Sequence, residues 1–178
     1  MSTPHTYTSS IEYINNLSFD YIETYSFQRG AEYEKKLQLD EAEYNQLKVK
    51  RYLSKAEGIR FSELRALLGY TQYLLNEKGA LHPSCKKTNT FQQGDPMVER
   101  LKNILKTEIR DIPNWLCAPT YRDAVVFYKN PGDIVSVLNV CLSCQFIETA
   151  KFNHIHAGYE TYDLLKRFFL DIGHEVED

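Results

Sequence analysis

Between residues 17 and 27 apolar and polar positions alternate. Leu17, Phe19, Tyr21, Tyr25 and Phe27 share one side, interrupted by Glu23, while Ser18, Asp20, Thr24 and Ser26 share the other, interrupted by Ile22. A period of two marks a strand with one buried face. The period then lengthens. Asp40 with Glu43 has the spacing of a capping box, flanked by Leu39 and Tyr44 as a staple, and Leu47, Tyr52 and Leu53 carry an apolar stripe to about residue 56. A second helix is predicted from Ser62 through Leu64, Leu67, Leu68, Leu74 and Leu75, with Gly79 as its stop. Residues 79–95 have no period and read as a binding or mobile loop. Asp95-Pro96 opens a third helix with the stripe Met97, Leu101, Ile104, Leu105 and Ile109.

The segments 124–128 and 134–141 flank the turn residues 129–133 and predict a β-hairpin. Apolar residues occupy both of its faces, so it belongs at the centre of a sheet with helices on at least one side. Phe146 and Ile147 extend its second strand. After a polar link at 153–158, Tyr162, Leu165, Phe169 and Ile172 mark a last helix ended by Gly173, and His174 begins a solvated acidic tail. The expected fold is α+β: a central antiparallel sheet, including the 124–141 hairpin, packed by three or four helices. Residues 1–10 read as a loose tail and 11–178 as a single domain.

Composition narrows the function classes. At 178 residues the chain is long enough to bury a core without staples. The net charge of -3 comes with no basic stripe, which argues against nucleic acid. No run approaches the roughly 18 apolar residues of a membrane span. The N-terminus as written has neither the charged nor the apolar region of a signal peptide, so a cytoplasmic location is expected. Thiols stay reduced there, which weakens a disulfide reading of the cysteines.

Val140-Cys141-Leu142-Ser143-Cys144 is the densest candidate for chemistry. Pairing Tyr128 with Ile134 would set Ala118 opposite Cys144, and a one-residue slip would bring Cys117 across from it, within disulfide range. Three readings compete. Small thiols pack inertly in a sheet. Alternatively Cys117, Cys141 and Cys144 hold a metal, zinc by ligand type, with a fourth ligand from His154, His156, His82 or Cys85. Redox chemistry is the third, weakened because strand-like residues follow Cys144 where a thioredoxin-like dithiol needs a helix start. Packing is favoured.

Tyr121, Arg122 and Asp123 form a second candidate group. One of the two charges must point into the covered face. It either ties down a loop or helix end, the favoured reading, or anchors a binding site. No phosphate loop, nucleophile elbow or zinc-protease pattern is present.

The block from Cys117 to Tyr128, followed by Ile134 to Cys144, resembles a group of uncharacterised bacterial proteins sharing a C-x-P, Phe-Tyr, C-x-x-C hairpin before a final amphipathic helix. That resemblance covers the last third of the chain and implies no activity. In general character the chain is also similar to the immunity proteins encoded beside bacterial toxins. With no catalytic set in view, and 13 tyrosines suited to a contact face, the expected function is non-enzymatic protein binding of immunity or inhibitor type. The alternatives are a zinc protein and a thiol oxidoreductase.

Overall fold

The structure, a computed structural model, describes residues 7–113, 117–130 and 132–176. Its elements in chain order are β1 (Thr8–Ser9), α1 (Ser10–Asn16), β2 (Tyr21–Ser26), α2 (Ala31–Lys48), α3 (Lys55–Gly69), β3 (Lys86–Gln92), α4 (Pro96–Leu105), β4 (Asp123–Lys129), β5 (Asp133–Cys141), β6 (Phe146–Thr149), β7 (Ile155–His156) and α5 (Tyr159–Asp171). Five strands make an antiparallel sheet in the order β3-β2-β4-β5-β6, and β1 pairs with β7 in a separate parallel pair. The fold is α+β, as the patterning predicts.

Alternation sends the two faces of the sheet into different cores. Ile22, Val125, Phe127, Leu138, Val140 and Ile147 meet Ile14 of α1, Val98, Leu101, Ile104 and Leu105 of α4, and Tyr162, Leu165, Phe168 and Phe169 of α5. Tyr25, Ala124, Val126, Val137 and Cys141 point the other way, against Leu74, Tyr121 and Cys144. The β4–β5 hairpin is therefore central and apolar on both sides. Ile22, which breaks the alternation of β2, is the residue that β2 contributes to the helix-covered core.

Several boundaries differ from the pattern. Thr8 and Ser9 pair with Ile155 and His156, and Ser9 accepts from the Glu12 amide to cap α1, so these residues are not a loose tail. The expectation for residues 1–6 lies outside the described residues, as does that for Pro131 in the hairpin turn. Asp40 caps nothing. α2 starts at Ala31, and Asp40 lies buried inside it, bound to Arg60 of α3 at 2.7 Å. The capping box belongs to Ser54 and Glu57 and starts α3, not Ser62, whose hydroxyl donates to the Gly58 carbonyl.

The expected second helix ends at Gly69, ten residues before Gly79. Residues 70–85 instead form an irregular connection. Within it Leu75 bridges Leu81, the His82 amide donates to the Leu74 carbonyl at 2.7 Å, and Asn76 organises the turn to Gly79. Part of the predicted 79–95 loop is strand β3 at the sheet edge. Phe146 and Ile147 do not extend β5 but return beside it as β6, after a turn in which Gln145 has positive φ.

The 70–85 connection is held to the sheet by Asn139. This residue is wholly buried, accepts from the Leu74 amide at 2.9 Å and donates to the Glu148 carbonyl at 3.2 Å. Replacing Asn139 by Ala leaves the Leu74 amide buried without this acceptor and removes a donor from the half-buried Glu148 carbonyl. The expected cost is about 1–3 kcal/mol in urea denaturation, with hydrogen exchange accelerated first at the Leu74 amide.

Candidate functional site

At the end of β2 the chain must leave the sheet at once, and Gln28-Arg29-Gly30 makes the turn. Gln28 has φ 54 and Gly30 φ 96, a region that glycine enters freely and glutamine only when its surroundings hold it there. Gln28 is so held. Its amide donates to Ser84 Oγ at 2.8 Å, Nε2 donates to the Tyr121 carbonyl at 2.8 Å, and Oε1 accepts from the Tyr33 hydroxyl at 3.2 Å. The turn thereby fixes the start of α2 beside the 70–85 connection.

Between them opens a cleft of about 1000 Å3. Arg29, Tyr33, Lys36 and Leu37 form one wall, Tyr70, Tyr73, Leu75, Leu81, His82 and Cys85 the other, and Phe152 closes a corner. Tyr70, Leu81 and Phe152 are 67%, 46% and 53% exposed there, an unusual amount of apolar surface for one concavity. Burial, and then the nearby Lys36 ammonium, lower the pKa of His82, while burial raises that of the Cys85 thiol. At neutral pH the cleft therefore presents a neutral imidazole and a protonated thiol, which is a poor start for a cysteine nucleophile.

Behind the cleft the polar groups are tied off. Tyr73 and Tyr121 both donate to Glu148 Oε2, at 2.8 and 2.7 Å, and burial followed by that carboxylate raises the pKa of each phenol. Arg29 forks onto Asp123, Nη1 to Oδ1 at 3.1 Å and Nη2 to Oδ2 at 3.0 Å. His174 Nδ1 lies 2.6 Å from the same Oδ1, and its Nε2 lies 2.7 Å from Thr88 Oγ1 on β3. Since an ionised carboxylate only accepts, His174 carries a proton on Nδ1, directed at Asp123. The arrangement has the order of a catalytic triad. However, Thr88 Oγ1 donates to the Thr24 carbonyl at 2.9 Å and sits on no wall of the cleft, so it serves as a structural link.

Among the residues singled out from sequence, Asp123 thus ties Arg29 and His174 into the fold, and His174 is buried rather than part of a solvated tail. Tyr121 is wholly buried, and Arg122 lies near the Tyr33 phenol, whose pKa burial raises despite the opposing pull of that guanidinium. Cys117 and Cys144 form a disulfide with Cα atoms 6.1 Å apart. The ladder does not bring them together. A bulge between Phe127 and Tyr128 shifts the register so that Asp123 faces Val140, which moves Cys144 away from Cys117, and β4 begins only at Asp123. Their meeting depends on the turn after Cys141, which folds Cys144 back toward the Ala118 carbonyl. Cys141 and Cys85 are free thiols.

His154 stacks on Phe146 with centroids 3.9 Å apart, and His156 lies 4.8 Å from the His154 ring. Among the described residues no three His, Cys, Asp or Glu side chains converge to hold a metal ion. Sequence reasoning overlooked Arg29, Lys36, Tyr73 and Glu148. One legible signal was the spacing of Asn76 and Gly79, which suits a turn and not a helix end.

Changing Asp123 to Asn removes the charge opposite a guanidinium whose side chain is only 8% exposed. The expected loss is about 3–5 kcal/mol in urea denaturation, and a paired Arg29→Met change should recover much of it. A second expectation concerns acid. Burial, then the His156 charge, lower the His154 pKa to about 4, while the unfolded chain titrates near 6.5. Between those values the unfolded state binds a proton that the folded state refuses, so stability falls as pH drops from 6.5 to 4. A His154→Phe variant should lose less thermal stability than the parent over that interval. Comparison with protein-family models, curated proteins and solved structures finds no match to this chain, so its function is argued from the cleft's own chemistry.

Proposed function

We propose that the protein is a non-enzymatic binding protein and that the cleft between α2 and the 70–85 connection receives a segment of a protein partner. The observation that carries this reading is the combination in one concavity of exposed apolar side chains, Tyr70, Leu81 and Phe152, with charged Lys36 and Lys86. Partner-binding patches mix aromatic anchors with a polar rim in this way. The volume, about 1000 Å3, lies at the upper end of small-molecule sites. Leu39 of α2, Ile59 of α3 and, in the link between them, Val49 and Tyr52 are further exposed apolar side chains of this helical pair. Inhibitor or immunity action, in which the bound partner is an enzyme or toxin held inactive, is the most concrete form of this function.

The test is recovery of a partner from host-cell extract by the parent protein and by a Leu81→Arg variant of equal stability. A partner retained by the parent and lost by the variant, with hydrogen-exchange protection in the complex confined to 29–40 and 70–86, supports the reading. A partner that binds both equally, or protects a different face, overturns it.

A further inference from the structure

We infer that His154 and His156 together chelate a divalent transition-metal ion, at a site that uses no cysteine and lies apart from the cleft. The inference stands whether or not the cleft binds a partner.

The strand period brings the two imidazoles together. Ile155 is buried in the core shared with α1, α4 and α5, so its two neighbours turn to the opposite side as a pair. Their backbone is fixed from two directions. His156 pairs with Ser9, and the His154 carbonyl accepts from the Thr8 amide at 3.3 Å. On the other edge His154 bridges Glu148 of β6. The His154 ring is held as well, stacked on Phe146 with centroids 3.9 Å apart and planes 10° from parallel. Stacking occupies the face of an imidazole, whereas a metal binds in the plane of the ring.

The rings also converge. Alternate residues of a strand stand about 6.6 Å apart, yet these centroids are 4.8 Å apart, with planes at 64°. With zinc–nitrogen bonds of about 2.0–2.1 Å, two imidazoles on one ion have centres roughly 4.5–5.3 Å apart for ligand angles between octahedral and tetrahedral. The observed separation falls within that range.

A second observation concerns the nitrogens. The other described histidines are committed to the fold, His82 to Ser84 and His174 to Asp123 and Thr88. Neither His154 nor His156 hydrogen-bonds another described group, and neither has a nitrogen shut away from solvent as Arg29 Nε is. Both residues are half-buried, so an ion can reach them from water. Burial, followed by the charge of His156, lowers the His154 pKa to about 4, so at neutral pH no proton competes for its lone pair.

The cysteines are not needed. Cys117 and Cys144 are joined to each other, and Cys141 is buried. Glu148 is engaged by the Tyr73 and Tyr121 hydroxyls, and no third His, Cys, Asp or Glu joins the pair among the described residues. The ring of Tyr7 borders the site, 4.7 Å from His156 and 5.9 Å from His154. The remaining positions of the ion fall to water or to a donor from another molecule, as in open zinc sites. Imidazole nitrogen selects zinc, copper and nickel over magnesium and calcium, which take oxygen ligands.

The probe is zinc chloride, titrated into the full chain at neutral pH while the histidine ring protons are followed by NMR, with magnesium chloride as the control. His154→Phe keeps an aromatic ring on Phe146, and His156→Gln removes the other ligand. The expected result is that the His154 and His156 resonances shift together and saturably with zinc and not with magnesium. Each variant should bind zinc roughly tenfold more weakly or worse, because the second imidazole of the parent binds intramolecularly. Shifts at neither ring or at only one, an equal response to magnesium, or a variant that holds zinc as tightly as the parent overturns the site. Should a variant fail to fold, the parent titration decides by itself.

Discussion

The carboxylate of Asp123 stands at the first residue of a central strand and binds Arg29 and His174, which lie 94 and 51 residues away in sequence. It is almost wholly buried, so it is tolerable only because both its oxygens are matched by donors and its charge by a guanidinium. Through those two partners it fixes the turn after β2 and the segment after α5. Through the second ring nitrogen of His174 it reaches the edge strand β3. A buried ion pair adds little net stability over well-packed apolar groups. Its contribution here is geometric: distant pieces of chain can meet only in one register, and Arg29 is thereby placed in the wall of the cleft.

The cleft itself follows from the unequal covering of the sheet. Three helices close one face with a continuous apolar core. The other face is closed by an irregular segment, which brings backbone polar groups with it that must be satisfied individually. Gln28, Asn139 and Glu148 meet that demand by bonding the segment to the sheet and to Tyr73 and Tyr121. Because a loop cannot cover area as evenly as a helix, a concavity remains between it and α2. The cleft and the structural compromise are here the same feature.

Elements whose signal is local were legible in the sequence. α4 and α5 carry strong stripes, Asp95-Pro96 marks a helix start, and the two-faced apolar β4–β5 pair demanded a central place. The errors arose where two local signals compete. Asp40 and Glu43 have capping-box spacing, yet the helix formers from Ala31 onward extend the helix past them, and Arg60 then neutralises Asp40. Ser54 and Glu57 bore the same signature and were the pair actually used. Leu74 and Leu75 looked like the continuation of a helical stripe because an apolar residue facing a sheet from a loop cannot be distinguished by period alone. The candidate site was the least legible part. Arg29, Lys36 and His82 come together only through the turn at Gln28 and the bridge at Leu75, and no short motif encodes either. Strand pairing would set Cys117 opposite Cys144 only after a one-residue slip, and reduced thiols packed inertly were the favoured reading; the structure instead joins the two in a disulfide through a turn.

α2 and α3 fold mainly on each other. Between them they bury only Asp40, Leu47 and Leu64, supplemented by the stacked rings of Tyr44 and Phe61 and the fork of Arg60 onto Asp40 and Glu43. So small a shared core gives the helical pair a lower opening free energy than the sheet. The pair thus forms a packing unit of its own. One wall of the cleft belongs to this unit and the other to the 70–85 connection on the sheet. A molecule bound between the two walls would hold the pair against the sheet and would spend part of its binding energy on that ordering.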